Sequence, residues 1–207
     1  GNEYVISDTY LQYSDDQLKN LFNINPHDNA IDIYILSEAD KVEDTAGQAQ
    51  RILSTACFIH PSYYFLPTVA HEVGHCLGLF HTHHGTSVEE QDGCPELVDG
   101  SNSDTCGDFI VDTPADPCIW KNGIYDGIAT DANGDVYNPD PTNLMSYNGM
   151  YRTQFSAKQI EMMRSAIENE MILQRTLHQR YIEGDGHFCN SAVYNISHLS
   201  STETVNW

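Results

Sequence analysis

The residues best suited to do chemistry lie in the segment HEVGHCLGLFHTHHG, residues 71–85. On a helix, His71 and His75 are four residues apart, so both imidazoles lie on one face and can share one metal ion. Glu72 is adjacent and can reach a water molecule on that ion without displacing it. The spacing therefore indicates two neutral histidine ligands with a carboxylate base beside them.

The residues that follow can supply a third ligand. Gly78 can adopt a positive φ angle and end the helix in a sharp turn, after which His81 comes back toward the first two histidines. His83 and His84 are alternative third ligands, but the spacing from Gly78 favours His81, and we interpret the other two as rim residues. Three protein ligands leave one coordination position open, as in a catalytic rather than a structural zinc site.

The elements that must position these residues can be inferred from periodicity and punctuation. We predict strands over 30–36 and 51–60 and helices over 14–22, 66–78 and 156–177. The last helix has an apolar face marked by Ile160, Met163, Ile167 and Met171. Residues 79–150 are rich in Gly, Pro, Asn and Asp, and such a long irregular stretch in a compact domain usually carries function or ions.

Composition and charge limit the function classes. The 207-residue chain is 40% hydrophobic, a globular composition, and has a net charge of −21. So few cations argue against a nucleic-acid partner, because nothing would displace counterions from phosphates. No apolar run reaches the ~18 residues that would cross a bilayer. From Ile52 to Trp120 there is no Lys or Arg, so this stretch is either a solvated acidic face or a region that binds cations such as calcium.

The six cysteines form no C-x-x-C pair, which argues against a zinc ribbon or a thioredoxin motif. Three of them lie in the acidic irregular region and indicate one disulfide and an oxidising compartment. Cys57 and Cys76 have apolar surroundings and are interpreted as buried thiols. The first ten residues carry no signal-peptide pattern, so we expect any targeting or pro-segment to lie outside this chain.

Three ordered motifs resemble those of a known family. The segment 71–81, HEVGHCLGLFH, resembles the long zinc signature of the metzincin metalloproteases. NLMSY resembles their methionine-containing turn beneath the metal, with Met145 as the floor residue and Tyr147 similar to a tyrosine that some metzincins place near the zinc. GDFIVDTPADP, residues 107–117, resembles a segment typical of the pappalysin family. The resemblance is to bacterial secreted pappalysins.

The resemblance implies an α+β fold and one catalytic domain, residues 1–207. An upper lobe, about 1–80, would contain a twisted mixed sheet and the active-site helix. A lower irregular lobe, about 81–177, would contain the Met-turn and a C-terminal helix, followed by a tail, 178–207. The substrate would lie extended between the lobes and pair with an edge strand.

The resemblance also implies a secreted or cell-surface zinc endopeptidase that acts on proteins or peptides. Glu72 would be the general base and Tyr147 would hydrogen-bond the oxyanion. A different function class, an inactive adhesin or binding module that keeps the metal for stability, has no use for Glu72. A third interpretation, a thermolysin-like zinc enzyme with a downstream glutamate ligand, is not needed, because Gly78 and His81 already supply the third ligand.

A calcium ion is a second cofactor that the family resemblance implies. Asp108 would be its carboxylate ligand, and the carbonyl ligands would come from Gly107, Val111 and Thr113. The segment DANGD, residues 131–135, has the oxygen spacing of a calcium loop, but Val136 stands where such a loop needs Gly. We therefore interpret this second segment as a polar turn.

The sequence departs from the family pattern after the Met-turn. Arg152 and Thr153 stand where the family often has a cysteine, so one family disulfide is absent or rewired. Cys106 with Cys118 is the first candidate pair, and Cys94 with Cys118 the second. Relatives that cut beside basic residues have an acidic residue a few positions after the Met-turn tyrosine. This chain has Asn148, Gly149 and Met150 there instead. We therefore expect an apolar residue just after the cut.

Overall fold

The computed structural model describes residues 20–36, 45–63, 67–86, 93–121, 124–125, 127–147, 151–174, 176, 182–183 and 195–196. These residues form the predicted α+β arrangement of a mixed sheet and helices. Most of the predicted helix 14–22 lies outside the described residues, and 20–21 of it are helical.

A three-stranded mixed sheet forms one layer of the fold. Its strands are β1 (Asp32–Ile35), β2 (Gly47–Ala49) and β3 (Ala56–Ile59), in the order β1-β3-β2. The central strand β3 is parallel to β1 and antiparallel to β2. It is buried along its whole length, as expected for an apolar strand covered on both faces. The sequence pattern predicts β1 and β3, but not β2, whose three residues are small or polar.

The two faces of β3 pack against different parts of the chain. Phe58 lies on one face, in a cluster with Phe22 and Leu36. Because side chains alternate along a strand, Cys57 points the other way and packs with Cys76 of the following helix. Both cysteines are buried thiols, as predicted.

Helix α1 (Thr68–Cys76) packs on β2 and β3 and carries the first two histidines. Pro67 stands directly before it, where its missing N–H costs no hydrogen bond. Gly78 lies two residues beyond the end of the helix, and its φ of 95° is the left-handed conformation predicted for it. The Leu79 N–H then donates to the Gly74 carbonyl at 3.0 Å, which closes the turn.

The predicted C-terminal helix is interrupted. Helix α2 (Ala157–Asn169) is followed by the extended residue Glu170 and a short helix α3 (Met171–Gln174). The Asn169 side chain donates to the Ser165 carbonyl at 2.9 Å and so takes an acceptor from the helix. The prediction of one helix over 156–177 is therefore wrong beyond 169. No helix among the described residues is long and apolar enough to cross a bilayer.

The predicted apolar face of this helix is also only partly correct. Ile160 is 39% exposed and Met171 is 79% exposed, whereas Met163 packs on the cluster that contains Leu79. The face is displaced because the fully buried position next to Ile160 is taken by Gln159, which hydrogen-bonds inside the fold.

The stretch between α1 and α2 is irregular, as predicted. It contains a hairpin of β4 (Trp120–Lys121) and β5 (Ile124–Tyr125). Farther along, β6 (Ile182–Glu183) pairs with β7 (Asn195–Ile196). The DANGD segment is a polar turn, since the Asp131 carboxylate accepts the N–H groups of residues 133 and 135, both at 2.9 Å.

The disulfide joins Cys94 to Cys106, so both predicted pairings with Cys118 are wrong. The Gly107 N–H donates to the Cys94 carbonyl at 2.9 Å, which lays the two segments side by side. The Cα atoms of the two bonded cysteines are 4.9 Å apart, within the usual range for a disulfide.

Candidate metal centre and active site

Three histidines converge in the way that the spacing predicts. His71 and His75 project from one face of α1, and the turn at Gly78 returns His81 to them. The Nε2 atom of His81 lies 3.1 Å from that of His71 and 3.0 Å from that of His75. Among the described residues this is the one group of three or more His, Cys, Asp or Glu side chains that could hold a metal ion.

Hydrogen bonds made by the Nδ1 atoms of His71 and His75 determine which ring nitrogen carries the proton and which presents a lone pair to the centre of the group. His71 Nδ1 lies 2.7 Å from the Leu144 carbonyl, and His75 Nδ1 lies 2.7 Å from the Leu79 carbonyl. A carbonyl can only accept, so each Nδ1 carries the proton and each Nε2 is unprotonated.

These converging lone pairs fit a zinc ion. Zn–N bonds of about 2.0–2.1 Å in a tetrahedral site place the nitrogens roughly 3.3 Å apart, close to the spacing seen here. Burial, reinforced by the neighbouring histidines, lowers the pKa of His71 and of His81 well below 6.5. The imidazoles are therefore neutral, the form that binds metal.

Glu72 lies beside the histidines and under strand β2. Its side chain is buried, and burial raises its pKa from 4.5 to about 8, partly offset by a hydrogen bond from the Ala49 backbone. Gly47 of the same strand leaves room for it, because a Cβ atom there would lie 3.0 Å from Glu72 Cγ. The edge strand thus orients the carboxylate that follows the first histidine.

Met145, the residue that the Met-turn resemblance singles out, packs with Leu79 and against helix α1. It is fully buried, and a Cβ atom on Gly74 of α1 would come within 2.7 Å of its sulfur. Its carbonyl accepts the Thr82 N–H at 3.2 Å, which ties the turn to the segment after His81. The turn itself is held by Asn143, whose side-chain oxygen accepts the Met145 N–H at 2.8 Å.

Tyr147 and His83 border the same centre. The Tyr147 ring centroid lies 4.5 Å from that of His81, and the residue is 49% exposed. His83 is buried and stacks on His81 at 4.8 Å with the rings 8° from parallel. His84 packs instead against Phe80 and Phe109. Neither His83 nor His84 belongs to the converging group.

Asp108 is fully buried and lies in the irregular stretch between α1 and α2. Both of its oxygens accept the Thr113 hydroxyl, at 2.8 and 2.9 Å, and one accepts the Ile110 N–H at 3.0 Å. Gly107 has the positive φ of 64°, and Val111 is 59% exposed. Burial raises the pKa of Asp108 from 3.8 to about 7.

The structure adds two residues that sequence reasoning missed. Glu96 is buried against Gly107, and burial together with the charge of Asp108 raises its pKa from 4.5 to about 8. Arg152 places Nη1 3.1 Å from His71 Nδ1. Two features of the sequence could have pointed to these residues. No Lys or Arg lies near Glu96 in the sequence, and Arg152 stands in the region where the family often has a cysteine.

Comparisons with known proteins agree with this geometry. The peptidase family model described as "Pregnancy-associated plasma protein-A" matches residues 46–168, more than half of the chain. No curated protein matches the sequence. The fold resembles mature mirolysin of Tannerella forsythia, solved in complex with a cleaved peptide, with a TM-score of 0.53 and 22% identity. That match covers 80% of this chain and 64% of the mirolysin chain, so the chain spans less than two thirds of that structure. By the family match, this chain belongs to the pregnancy-associated plasma protein-A family of metallopeptidases.

Proposed function

We propose that this chain is a zinc-dependent endopeptidase that hydrolyses peptide bonds with Glu72 as general base. The observation that carries the proposal is the convergence of the Nε2 atoms of three histidines beside the buried side chain of Glu72. His71, His75 and His81 would hold the zinc ion. Bound there, it would polarise the peptide carbonyl and make water nucleophilic near neutral pH.

Glu72 takes the proton of the attacking water and passes it to the departing amine nitrogen. Glu72 is buried beside the histidines, and a cation bound there would favour its ionised form, which can accept the proton. The hydrogen bond from Ala49 keeps the carboxylate oriented during both transfers. Tyr147, whose ring lies against His81, donates a hydrogen bond to the carbonyl oxygen as that oxygen gains negative charge.

The substrate is a protein or peptide that lies extended along β2. This strand is at the edge of the sheet, and Gly47 and Ala49 approach Glu72 directly. An extended peptide can add to such an edge through backbone hydrogen bonds. We divide the single domain into an upper lobe, about 1–80, and a lower lobe, about 81–177, with the peptide between them.

We further propose that calcium stabilises the lower lobe near Asp108. Two buried carboxylates, Asp108 and Glu96, act on each other electrostatically, and Glu96 Oε2 has no hydrogen-bond partner among the described residues. A hard cation with oxygen ligands would offset both charges. The further ligands would be the carbonyls of Gly107, Val111 and Thr113. The disulfide, together with a calcium site of this kind, supports the proposal that the protein is secreted and extracellular.

The general-base proposal is tested with Glu72→Gln, which keeps the size of the side chain and removes its basicity. We expect at least roughly 100-fold less cleavage of casein, while elemental analysis still finds one zinc per chain. Glu161→Gln, on the exposed face of α2, is the matched control and should cleave at the wild-type rate.

Two results would contradict this proposal. Full activity of Glu72→Gln would remove the glutamate from the mechanism. Zinc bound to a wild-type protein that cleaves nothing would instead favour the adhesin or binding module that keeps its metal for stability.

A further inference from the structure

Arg152 is a cation beside the candidate active site that the proposed mechanism does not use. Its Nη1 atom lies 3.1 Å from His71 Nδ1 and 3.3 Å from the Ser146 carbonyl. Its Nε atom is buried and has no hydrogen-bond partner among the described residues. The residue as a whole is only partly buried, so a ligand can reach the remaining donors.

Few donors of this guanidinium have a hydrogen-bond partner among the described residues. The contact with His71 is not a hydrogen bond from Arg152, because the Nδ1 proton of His71 already goes to Leu144. Within the described part of the chain, the Ser146 carbonyl is the one acceptor that Arg152 reaches, at a long 3.3 Å. A guanidinium has five N–H donors and no acceptor, so most of them lack a protein partner here.

Among the described residues, no anion is paired with the charge of Arg152. The described residues form no salt bridge with it. The acidic groups that act on it are Glu72 and Tyr147, both of which have other roles in the proposed mechanism. A partly buried cation without a paired anion is costly, and a carboxylate that docks on it would offset that cost.

The position of Arg152 is fixed by the backbone on its C-terminal side. The Thr153 N–H donates to the Thr142 carbonyl, and the Leu144 N–H donates to the Gln154 carbonyl, both at 2.8 Å. These bonds hold the chain against the Met-turn. Arg152 therefore contacts the Nδ1 edge of His71, and it lies close enough to Glu72 and Tyr147 for their charges to act on each other.

We propose that Arg152 is a specificity-determining residue that binds a carboxylate of the peptide substrate beside the scissile bond. The carboxylate comes from an acidic side chain or from a free C-terminus, and either can accept two parallel N–H bonds from the guanidinium. This inference rests on the proposed peptidase function. It differs from the apolar preference predicted from Asn148, Gly149 and Met150, which lie outside the described residues.

The net charge of −21 acts in the opposite direction, because a negative surface repels acidic peptides. That repulsion acts at long range and is screened by salt, whereas contact with Arg152 acts at hydrogen-bond distance. We therefore expect the carboxylate preference to persist when the ionic strength is raised.

The test uses four peptides that share one sequence. They carry Glu or Gln after the cut, each with a free or an amidated C-terminus, so the two sources of the carboxylate are separated. For wild-type protein we expect kcat/KM to be roughly 10-fold higher for the preferred carboxylate than for its neutral partner. In Arg152→Met the ratio of the two kcat/KM values should fall to about one. Arg152→Lys, which keeps the charge but loses the fork, should give an intermediate ratio.

A binding measurement separates this inference from the proposed function. On Glu72→Gln protein, which should not turn the peptides over, the acidic peptide should bind about 10-fold more tightly than its neutral partner. Equal affinities for all four peptides, or a preference that survives Arg152→Met, would overturn the role of Arg152 whether or not the wild type cleaves. Carboxylate-selective binding to a wild-type protein that never cleaves would support Arg152 and count against the peptidase.

Discussion

Gly47 is the residue at which the edge strand comes nearest to the candidate base. A Cβ atom there would lie 2.9 Å from the Phe58 carbonyl and 3.0 Å from Glu72 Cγ. Backbone cannot yield as a flexible side chain can, so Gly47→Ala should displace β2 or Glu72. We expect activity to fall roughly 10-fold or more, because a misplacement of about 1 Å is that costly in a catalytic site.

The control for this prediction is Gln48→Ala on the same strand, since Gln48 is exposed. That variant should keep wild-type kcat/KM and melting temperature. Zinc content should be unchanged in both proteins, because the histidines lie on another element. Wild-type activity in Gly47→Ala would show that the close approach to Glu72 does not matter.

Site residues that are close to one another in the sequence could be predicted from their spacing. A contact between residues far apart in the sequence could not. The approach of His71, His75 and His81 needs only one helix face and one glycine turn, so their spacing contains the information. Arg152 reaches His71 across 81 residues, and no local pattern encodes that contact.

At the scale of elements, Gln159 joins helix α2 to the Met-turn. Its side-chain oxygen accepts the Ser156 N–H at 2.8 Å in a capping box and the Asn143 amide at 3.0 Å. Asn143 in turn holds Met145. Gln159→Met keeps the length of the side chain but leaves these buried groups without partners. We expect it to lower the free energy of unfolding by about 2–4 kcal/mol.

Chemical denaturation measures this loss, and Lys158→Ala is the matched control. The Lys158 side chain forms an exposed ion pair with Glu161, so its removal should leave the denaturation midpoint close to that of the wild type. Similar midpoints for the two variants would show that α2 and the Met-turn are not coupled through Gln159.

Strand β2, which the sequence pattern does not predict, and the apolar face of α2, which it misassigns, have the same physical explanation. Strand β2 has no apolar alternation, and it forms because β3 and α1 offer it backbone partners and a surface. The apolar face of α2 was misplaced because buried Gln159 occupies a position that periodicity assigns to solvent. In both cases tertiary hydrogen bonding outweighs the local pattern.

At the scale of the whole molecule, the excess of acids includes carboxylates that the fold buries. Burial raises the pKa of Asp108 from 3.8 to about 7 and that of Glu96 from 4.5 to about 8. Both groups ionise near their ordinary values in the unfolded chain. Between those values and the raised ones, the folded protein therefore binds more protons than the unfolded chain. The contribution of these two groups to the free energy of unfolding should then be largest below about pH 4 and fall as pH rises toward about 8.

Calcium should change this dependence, because a cation beside Asp108 and Glu96 favours their ionised forms. We expect that EGTA lowers the melting temperature by several degrees at about pH 8 and has little effect at about pH 5, with zinc content confirmed constant. Glu96→Gln, which mimics the protonated carboxyl, should show a flatter pH dependence in EGTA and a smaller gain from added calcium. The difference between wild type and this variant cancels the titration of the other acids, so it isolates the buried pair. If the two proteins lose stability in parallel as pH rises, Glu96 does not titrate in this range, and if calcium stabilises neither protein, Glu96 and Asp108 do not form a cation site.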